Sequence, residues 1–145
     1  MAAPASTPLS DLPRGHQFHS TSFSLSAEDV SRYVDAVEDT HPIYANRQLA
    51  PPLAIAALAL GSLLGQVGLA GGTLHTGQEV EARSAVPFGA ALTLTGRIAQ
   101  RSERAGMIIS VLEFEVTLLS SDTVAVAGRT TVMVPAGASI SGATA

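Results

Sequence analysis

The stretch LAIAALALGSLLG, residues 53–65, decides the fold of this 145-residue chain. Its side chains are apolar or small on every side of the helix that the pattern predicts. Pro51 and Pro52 precede it, and proline suits a helix entrance because it fixes φ and its missing N–H is not needed there. A helix that is apolar all round is stable only when other elements surround it. The remainder of the chain must therefore wrap this helix.

The second half of the chain alternates between apolar and polar residues, which predicts β-strands. Four stretches have this alternation: 79–86, 92–98, 107–119 and 124–134. In the third, Phe114 lies on the apolar face while Glu113 and Glu115 lie on the other. The connections are short and no strand-helix-strand unit recurs, so we expect antiparallel neighbours and not a doubly wound parallel sheet.

Before the apolar stretch, the sequence predicts one short strand and one amphipathic helix. Residues 16–25 alternate loosely, as a strand does. Ser26 suits a helix N-cap, and the apolar residues from Val30 to Val37 share one helical face. This helix should end before His41-Pro42, because the residue before proline avoids the α region.

One apolar helix and one antiparallel sheet combine well if the sheet bends around the helix, as in the α+β hotdog fold. We expect a single hotdog domain over residues 16–136, a flexible leader over 1–15 and a flexible tail over 137–145. Such a sheet has open edges, and pairing with a second copy would bury one of them. We therefore expect a dimer.

The composition argues against several classes of function. The chain has 8 basic and 12 acidic residues, a net charge of -4 and only 4% aromatic residues, so nucleic acid is not an expected partner. It has no cysteine, which removes disulfides, thiolate nucleophiles and Cys-ligated metals. The four histidines are scattered and lack metal-binding spacing, so we expect no metal and no cofactor. The cytoplasm is the expected compartment.

Two apolar or glycine-rich segments have alternative interpretations. The run from Leu53 to Ala70 approaches the length of a membrane span, but it contains Ser62 and Gln66 and lacks a basic or aromatic flank at its C-terminal end. We therefore expect a buried helix and no membrane association. The glycines that follow it, at 65, 68, 71 and 72, follow a helix without joining a strand to one, which predicts a connector and not a phosphate loop.

A polar loop before the apolar helix carries the candidate chemistry. It reads Asp39-Thr40-His41-Pro42-Ile43-Tyr44 and is followed by Pro51-Pro52-Leu53-Ala54. This loop resembles the substrate loop of the MaoC-like (R)-specific enoyl-CoA hydratases and 3-hydroxyacyl-thioester dehydratases, hotdog enzymes with an Asp-x-Asn-Pro-x-His loop before the helix. The resemblance covers roughly residues 20–135, including Leu74-His75 and Pro87-Phe88-Gly89.

The resemblance implies a set of site residues and also a defect. Asp39 takes the family's aspartate position, but Tyr44 stands where the histidine would be and His41 replaces the asparagine. Ala56 falls where the family has a glycine whose amide binds the thioester oxygen. The implied catalytic residues are Asp39, His41 and Tyr44, and the implied substrate-binding residues are Pro52, Ala54, Ala56 and His75. The pattern is similar to the degenerate N-terminal half of FAS1-type dehydratases, or to the substrate-holding subunit of heterodimeric mycobacterial ones.

The defect matters because hydration of an enoyl thioester needs a base for water, a proton for the α-carbon and a donor for the enolate oxygen. An ordinary histidine, with a pKa of about 6.5, can be that base, whereas an ordinary tyrosine is ionised to only about one part in a thousand at neutral pH. Loss of acid-base help costs about 10²- to 10⁴-fold. The resemblance therefore implies a hydro-lyase subunit of fatty acid metabolism. It would act on acyl-CoA or an acyl-carrier thioester, with a second hotdog protein completing a homodimer or heterodimer.

Each candidate also has a purely structural interpretation. Asp39 can end the first helix, Tyr44 can be a packed aromatic residue, and His75 can start a strand at a dimer contact. The small residues of the helix either leave room for an acyl chain or allow close packing. Whether the protein is an enzyme stays open. The alternatives are a non-catalytic homodimer that binds an acyl or other apolar ligand, and a thioesterase, which needs a helix carboxylate that residues 53–65 lack.

Overall fold

The structure, a computed structural model, describes residues 6–138 as three helices and one five-stranded antiparallel sheet, with a 3-10 turn at Leu9–Asp11. The sheet order is β1-β3-β4-β5-β2. The elements are β1 (Thr21–Phe23), α1 (Ala27–Ala36), α2 (Ile43–Arg47), α3 (Pro52–Leu64), β2 (Leu74–Ala82), β3 (Leu92–Arg104), β4 (Met107–Leu118) and β5 (Thr123–Pro135). The sheet packs against the apolar helix α3, which confirms the predicted α+β hotdog architecture.

The core lies between α3 and one face of the sheet. Along β4, buried and less buried residues alternate, with Phe114 only 2% exposed while Glu113 and Glu115 lie on the outer face. Leu63 of α3 is fully buried. A Cβ added to Gly96 of β3 would lie 2.9 Å from Leu63 Cδ2, so helix and sheet meet closely there because this strand position has no side chain.

The described residues do not surround α3 completely. Leu53 is 59% exposed and Leu58 is 49% exposed, and Ala57 beside them is also exposed. Because an apolar helix is stable only when it is covered, this exposed face of α3 is a candidate contact surface.

The first helix follows its sequence signals. Ser26 Oγ accepts a hydrogen bond from the Asp29 N–H at 3.1 Å, and Asp29 Oδ2 accepts one from the Ser26 N–H at 2.9 Å. This reciprocal capping box satisfies two backbone donors at the helix start. α1 ends at Ala36, before His41-Pro42, as predicted.

Two strands differ from their predicted bounds. β2 begins at Leu74, five residues before the predicted start at 79, and it ends at Ala82. After Ala82 the regular pairing stops, because the N–H groups of Arg83 and Ser84 both donate to the Ala125 C=O, at 2.8 and 3.2 Å. The Val86 C=O then accepts a hydrogen bond from the Ala50 N–H at 2.8 Å, in the α2–α3 connector. β3 runs on to Arg104, past a register shift between residues 98 and 100 that interrupts the alternation of its side chains.

The expected leader is corrected in part. Leu9 is fully buried and its N–H donates to the Gly68 C=O at 2.9 Å, while Leu12 is 6% exposed. These two apolar side chains join the core, so the packed chain begins well before residue 16. Residues 1–5 lie outside the described residues, as does the tail from 139 onward. Between residues 6 and 138, no helix is long and apolar enough to span a membrane.

Candidate functional site

The candidate loop is shaped by its own side chains. The His41 N–H donates to Asp39 Oδ1 at 3.0 Å, and the Ile43 N–H donates to His41 Nδ1 at 3.2 Å. Such local bonds build turns at helix entrances. They leave Asp39 Oδ2 without a bond from the loop backbone and place the proton of a neutral His41 on Nε2. The predicted polar loop, which includes Ile43 and Tyr44, is corrected because the helix α2 already begins at Ile43.

Tyr44 lies in the first turn of α2, next to both polar residues of the loop. Its ring centroid is 6.3 Å from that of His41, with the rings inclined at 61°. Partial burial raises the pKa of Tyr44, and the negative charge of Asp39 and hydrogen bonding to that carboxylate raise it further. Tyr44 therefore stays protonated at neutral pH and acts as a hydrogen-bond donor, not as a base.

A groove of about 340 Å³ joins the loop to the start of α3 and the exit of β2. Its walls are mostly apolar, and the polar side chains among them are Tyr44, Arg83 and Ser84. Asp39 and His41 are not among the lining residues and lie beside it. The residues that line the groove are Ile43, Tyr44, Leu49, Ala50, Pro52, Ile55, Ala82, Arg83, Ser84, Ala85, Val86 and Val126.

The start of α3 forms one end of this groove. Pro52 lines it, whereas Ala54 and Ala56 are 3% and 5% exposed. Ala56 is the fifth residue of the helix, where an N–H is bonded to the carbonyl four residues earlier. Among the bonds of the described residues, none takes the N–H of Leu53, which is the second helical residue. A ligand oxygen at this helix end would therefore meet the Leu53 amide and not that of Ala56, which the sequence analysis missed.

His75 does not reach the groove within one chain. It is the second residue of β2, and the groove begins at Ala82, about 20 Å further along an extended strand. Its Nε2 lies 3.1 Å from the Gly77 C=O. The structure thus brings together the loop, Tyr44 and Pro52 and leaves His75 apart.

The sequence analysis also missed the cation at the groove. Arg83 Nη2 lies 3.0 Å from Glu81 Oε2, and this hydrogen bond and charge raise the pKa of the guanidinium. Arg83 was predicted to lie within a strand, but β2 ends one residue earlier and the chain turns toward the loop. That turn depends on a contact with the α2–α3 connector, which side-chain alternation does not report.

A larger groove of about 540 Å³ lies on the outer face of the sheet and includes no residue of the candidate loop. Its charged side chains bond to each other: Glu113 accepts from Arg97 at 2.8 Å and lies 3.3 Å from Arg129 Nε. Cross-strand pairs of this kind stabilise a sheet surface. No group of three His, Asp or Glu residues in the described part of the chain is placed to hold a metal ion.

The family follows from a comparison with known sequences. A family profile described as FAS1-like, dehydratase domain region, matches residues 14–129. The chain belongs to this FAS1-like dehydratase family. No curated protein matches the sequence significantly.

Solved structures share the fold of this FAS1-like dehydratase region. The (R)-hydratase from A. caviae involved in PHA biosynthesis is 21% identical, with a TM-score of 0.71 over 86% of this chain and 98% of that one. A HadBC (3R-hydroxyacyl-ACP dehydratase) complex from Mycobacterium tuberculosis is 22% identical, with a TM-score of 0.72 over 86% and 99%. The MaoC-like dehydratase from Rhodospirillum rubrum is 20% identical, with a TM-score of 0.70 over 88% and 96%. With the family profile, they confirm the MaoC-like resemblance of the chain.

The geometry of the site in this FAS1-like dehydratase region determines which chemistry the site can support. It offers an apolar wall for an acyl chain, a protonated Tyr44 as donor, a carboxylate at Asp39 and a cation at Arg83. Its one imidazole is that of His41, which is exposed on the loop and is not among the groove-lining residues. The site therefore has donors to bind a carbonyl oxygen, and no base among the described residues that line it.

Proposed function

We propose that this protein is a hydratase or dehydratase subunit that acts on an acyl thioester, carried by CoA or by an acyl-carrier protein. Its catalytic motif is incomplete in one chain, and a partner hotdog, in a homodimer or heterodimer, completes it. The observation that carries the proposal is the apolar groove lined by both Tyr44 and Pro52, with the open amide of Leu53 next to Pro52 at the start of α3. The proposal includes a cytoplasmic location and a role in fatty acid metabolism.

The groove suits an acyl thioester for three reasons. Its apolar wall, with Ile55 and Val126, can hold an acyl chain out of water. The Leu53 N–H at the positive end of α3 can donate to the thioester oxygen, where charge develops as an enolate forms. Arg83 remains charged beside the groove and can pair with a phosphate of the carrier group.

A partner hotdog is proposed because the described residues that line the groove include no base. The raised pKa of Tyr44 leaves even less tyrosinate at neutral pH than an ordinary tyrosine has, so this residue is not available as a base. Of the similar structures, the mycobacterial dehydratase is a complex of two subunits, as its HadBC designation states. A division of labour between two chains explains why the acyl groove is retained while the histidine is not.

The test is turnover of crotonyl-CoA and of a longer enoyl-CoA by the purified full chain, followed as loss of the conjugated thioester absorbance. Replacing Asp39 with Asn should abolish turnover by any competent complex. Asp35→Asn is the matched control, because Asp35 is an exposed carboxylate on α1 that is neither in the loop nor among the groove-lining residues. Equal turnover by both variants would remove Asp39 from the proposed mechanism.

The second candidate is a non-catalytic homodimer that binds an acyl or other apolar ligand. The protonated Tyr44 favours it, because a groove with donors and no base binds a carbonyl without activating water. Saturable binding of acyl-CoA without hydration of any enoyl-CoA, alone or with a partner hotdog, would favour this function over the first.

A further inference from the structure

Among residues 6–138, the strand β2 forms an open edge of the sheet. It is last in the sheet order, and all nine of its residues are exposed or half-buried. The Glu79 C=O faces β5, since a Cβ added to Gly128 would meet it at 2.8 Å. Because peptide groups alternate in direction along an antiparallel strand, those of Gln78, Val80 and Ala82 point outward. Such an unpaired row is a template for a strand of another chain.

We propose that a second copy of this chain pairs with β2 in an antiparallel register centred on Gln78, and that His75 of each copy then supplies the missing imidazole to the groove of the other. The catalytic part of this inference rests on the proposed function, whereas the interface does not. An isologous pairing is expected for a two-fold dimer, in which the same strand serves both copies.

The charges of β2 select the register. Gln78 is the midpoint of Leu74–Ala82, so centring on it gives the fullest overlap. A register centred on Glu79 would set Glu79 of one copy directly opposite Glu79 of the other. A register centred on Val80 would set Glu79 of each copy opposite Glu81 of the other, which makes two pairs of like charges. Like charges directly opposite destabilise a sheet. The register centred on Gln78 sets Glu79 opposite Gly77 and avoids both pairs.

This register carries His75 to the groove of the other copy. His75 is paired with the buried Val132, so it lies on the helix side of the sheet. The extra residue of the bulge between 75 and 77 then sets His75 opposite Val80 of the other copy, two residues before Ala82. With strands about 4.8 Å apart and about 3.3 Å per residue, the two Cα atoms of His75 and Ala82 come within about 8 Å. Within one chain they are about 20 Å apart.

An imidazole at this place supplies the step that Tyr44 cannot. It accepts a proton from water as the water oxygen bonds to the β-carbon of the enoyl thioester, and the electron pair of the double bond moves to the α-carbon. The imidazolium then gives that proton to the α-carbon, so the net reaction is addition of one water. The same imidazole serves both proton transfers, because the proton that it takes from water is the one that it returns to the α-carbon.

The interface is tested first, without reference to activity. The chain has no cysteine, so a single introduced cysteine reports on one position. Gln78→Cys should form a disulfide-linked dimer on oxidation, because hydrogen-bonded antiparallel pairs have Cα atoms about 5.5 Å apart, within disulfide range. Val80→Cys, on the same face of the same strand, is the matched control and should stay monomeric in denaturing gels. Cross-linking of Val80→Cys in preference to Gln78→Cys, or of neither, overturns the proposed register.

The role of His75 is tested by complementation between two inactive full-length variants. Asp39→Asn and His75→Ala should each lose at least 10²-fold in turnover. Co-refolded in equal amounts, they should recover about a quarter of wild-type turnover, because half of the dimers are mixed and each mixed dimer has one intact site. His19→Ala, which removes another exposed histidine side chain, should keep full activity.

The outcomes separate the two proposals. Full turnover by His75→Ala, or no recovery in the mixture, overturns the role of His75. A Gln78→Cys dimer with no turnover by the wild type overturns the hydration step and the role of His75 together, and it leaves the interface standing.

Discussion

His41 and Tyr44 hold their rings 6.3 Å apart at the entrance of α2, and the Nδ1 of His41 accepts the N–H of Ile43. The loop thus ties its imidazole to its own backbone and turns a protonated phenol toward the groove. A carboxylate, an imidazole and a phenol lie together, yet only Tyr44 lines the groove. This arrangement is consistent with the proposal that the loop resembles a dehydratase motif but supplies no base to the groove.

Tyr44→His should place an imidazole at the position that the resemblance assigns to the family's histidine. In the His75→Ala background, we expect this change to restore turnover by about 10²-fold or more, because an imidazole in the same chain replaces the one from the partner. The measurement is the rate of enoyl-CoA hydration at neutral pH, with Tyr44→Phe in the same background as the control that lacks an ionisable group. If both substitutions leave the rate unchanged, Tyr44 does not occupy the position of the base.

Asp39→Asn should lower the pKa of Tyr44 toward its ordinary value, because the charge of Asp39 and hydrogen bonding to it help to raise that pKa. Burial is the larger cause, so the pKa should remain above the ordinary value. The Tyr33→Phe background leaves one tyrosine, and its ionisation is followed by the ultraviolet absorbance of tyrosinate at alkaline pH. Asp35→Asn, an exposed control, should not move it. A pKa that is the same with and without Asp39 would contradict the contact.

The raised pKa of Tyr44 also makes the free energy of unfolding depend on pH. The folded state holds the Tyr44 proton more tightly than the unfolded state, so its contribution is fully present below the pKa of the unfolded chain, about 10. That contribution is lost as the pH rises from there through the pKa of the folded state.

Ser26→Ala should lower the free energy of unfolding by about 1 kcal/mol, because it removes the cap of the α1 N-terminus. Ser31→Ala is the control, since Ser31 is an exposed position inside the same helix and alanine favours helix there. Urea unfolding of both variants measures the difference. A loss no larger for Ser26 than for Ser31 would show that the capping box does not contribute to stability.

The sequence predicted the elements in which the hydrophobic pattern matches the way that their side chains pack in the core. β4 was found from its alternation, because one of its faces packs on α3 and the other faces water. α3 was found because it is apolar throughout, and Ser26 marked the start of α1. In each case, local pattern and tertiary contact point the same way.

The sequence did not reveal features that depend on distant contacts. β2 is an open edge with both faces exposed, so its first half, including His75, has no alternation to detect. Leu9 lies among prolines and serines, and only its burial and its bond to Gly68 in the folded chain show that it joins the core. Arg83 reaches the groove because the chain after β2 bonds to the α2–α3 connector. The groove therefore depends on tertiary contacts. Of the site residues that were predicted from the sequence, only Tyr44 and Pro52 line it.

The close packing of Phe114 and Gly128 gives a last prediction about the core. A Cβ added to Gly128 would meet the Phe114 ring and lie 2.8 Å from the Glu79 C=O, which cannot move without disturbing the pairing of β2 and β5. Gly128→Ala should lower the free energy of unfolding by about 1–3 kcal/mol, the usual cost of overpacking. It should also weaken the β2 edge.

Gly61→Ala is the matched control for that substitution, because nothing lies within 4 Å of a Cβ at this exposed position of α3. Removing a glycine from a helix interior should raise stability by about 0.5–1 kcal/mol. Urea unfolding should therefore shift in opposite directions for the two glycine-to-alanine changes. If Gly128→Ala is as stable as the wild type, the Phe114 ring has room to move, and the core between β4 and β5 is looser than the structure indicates.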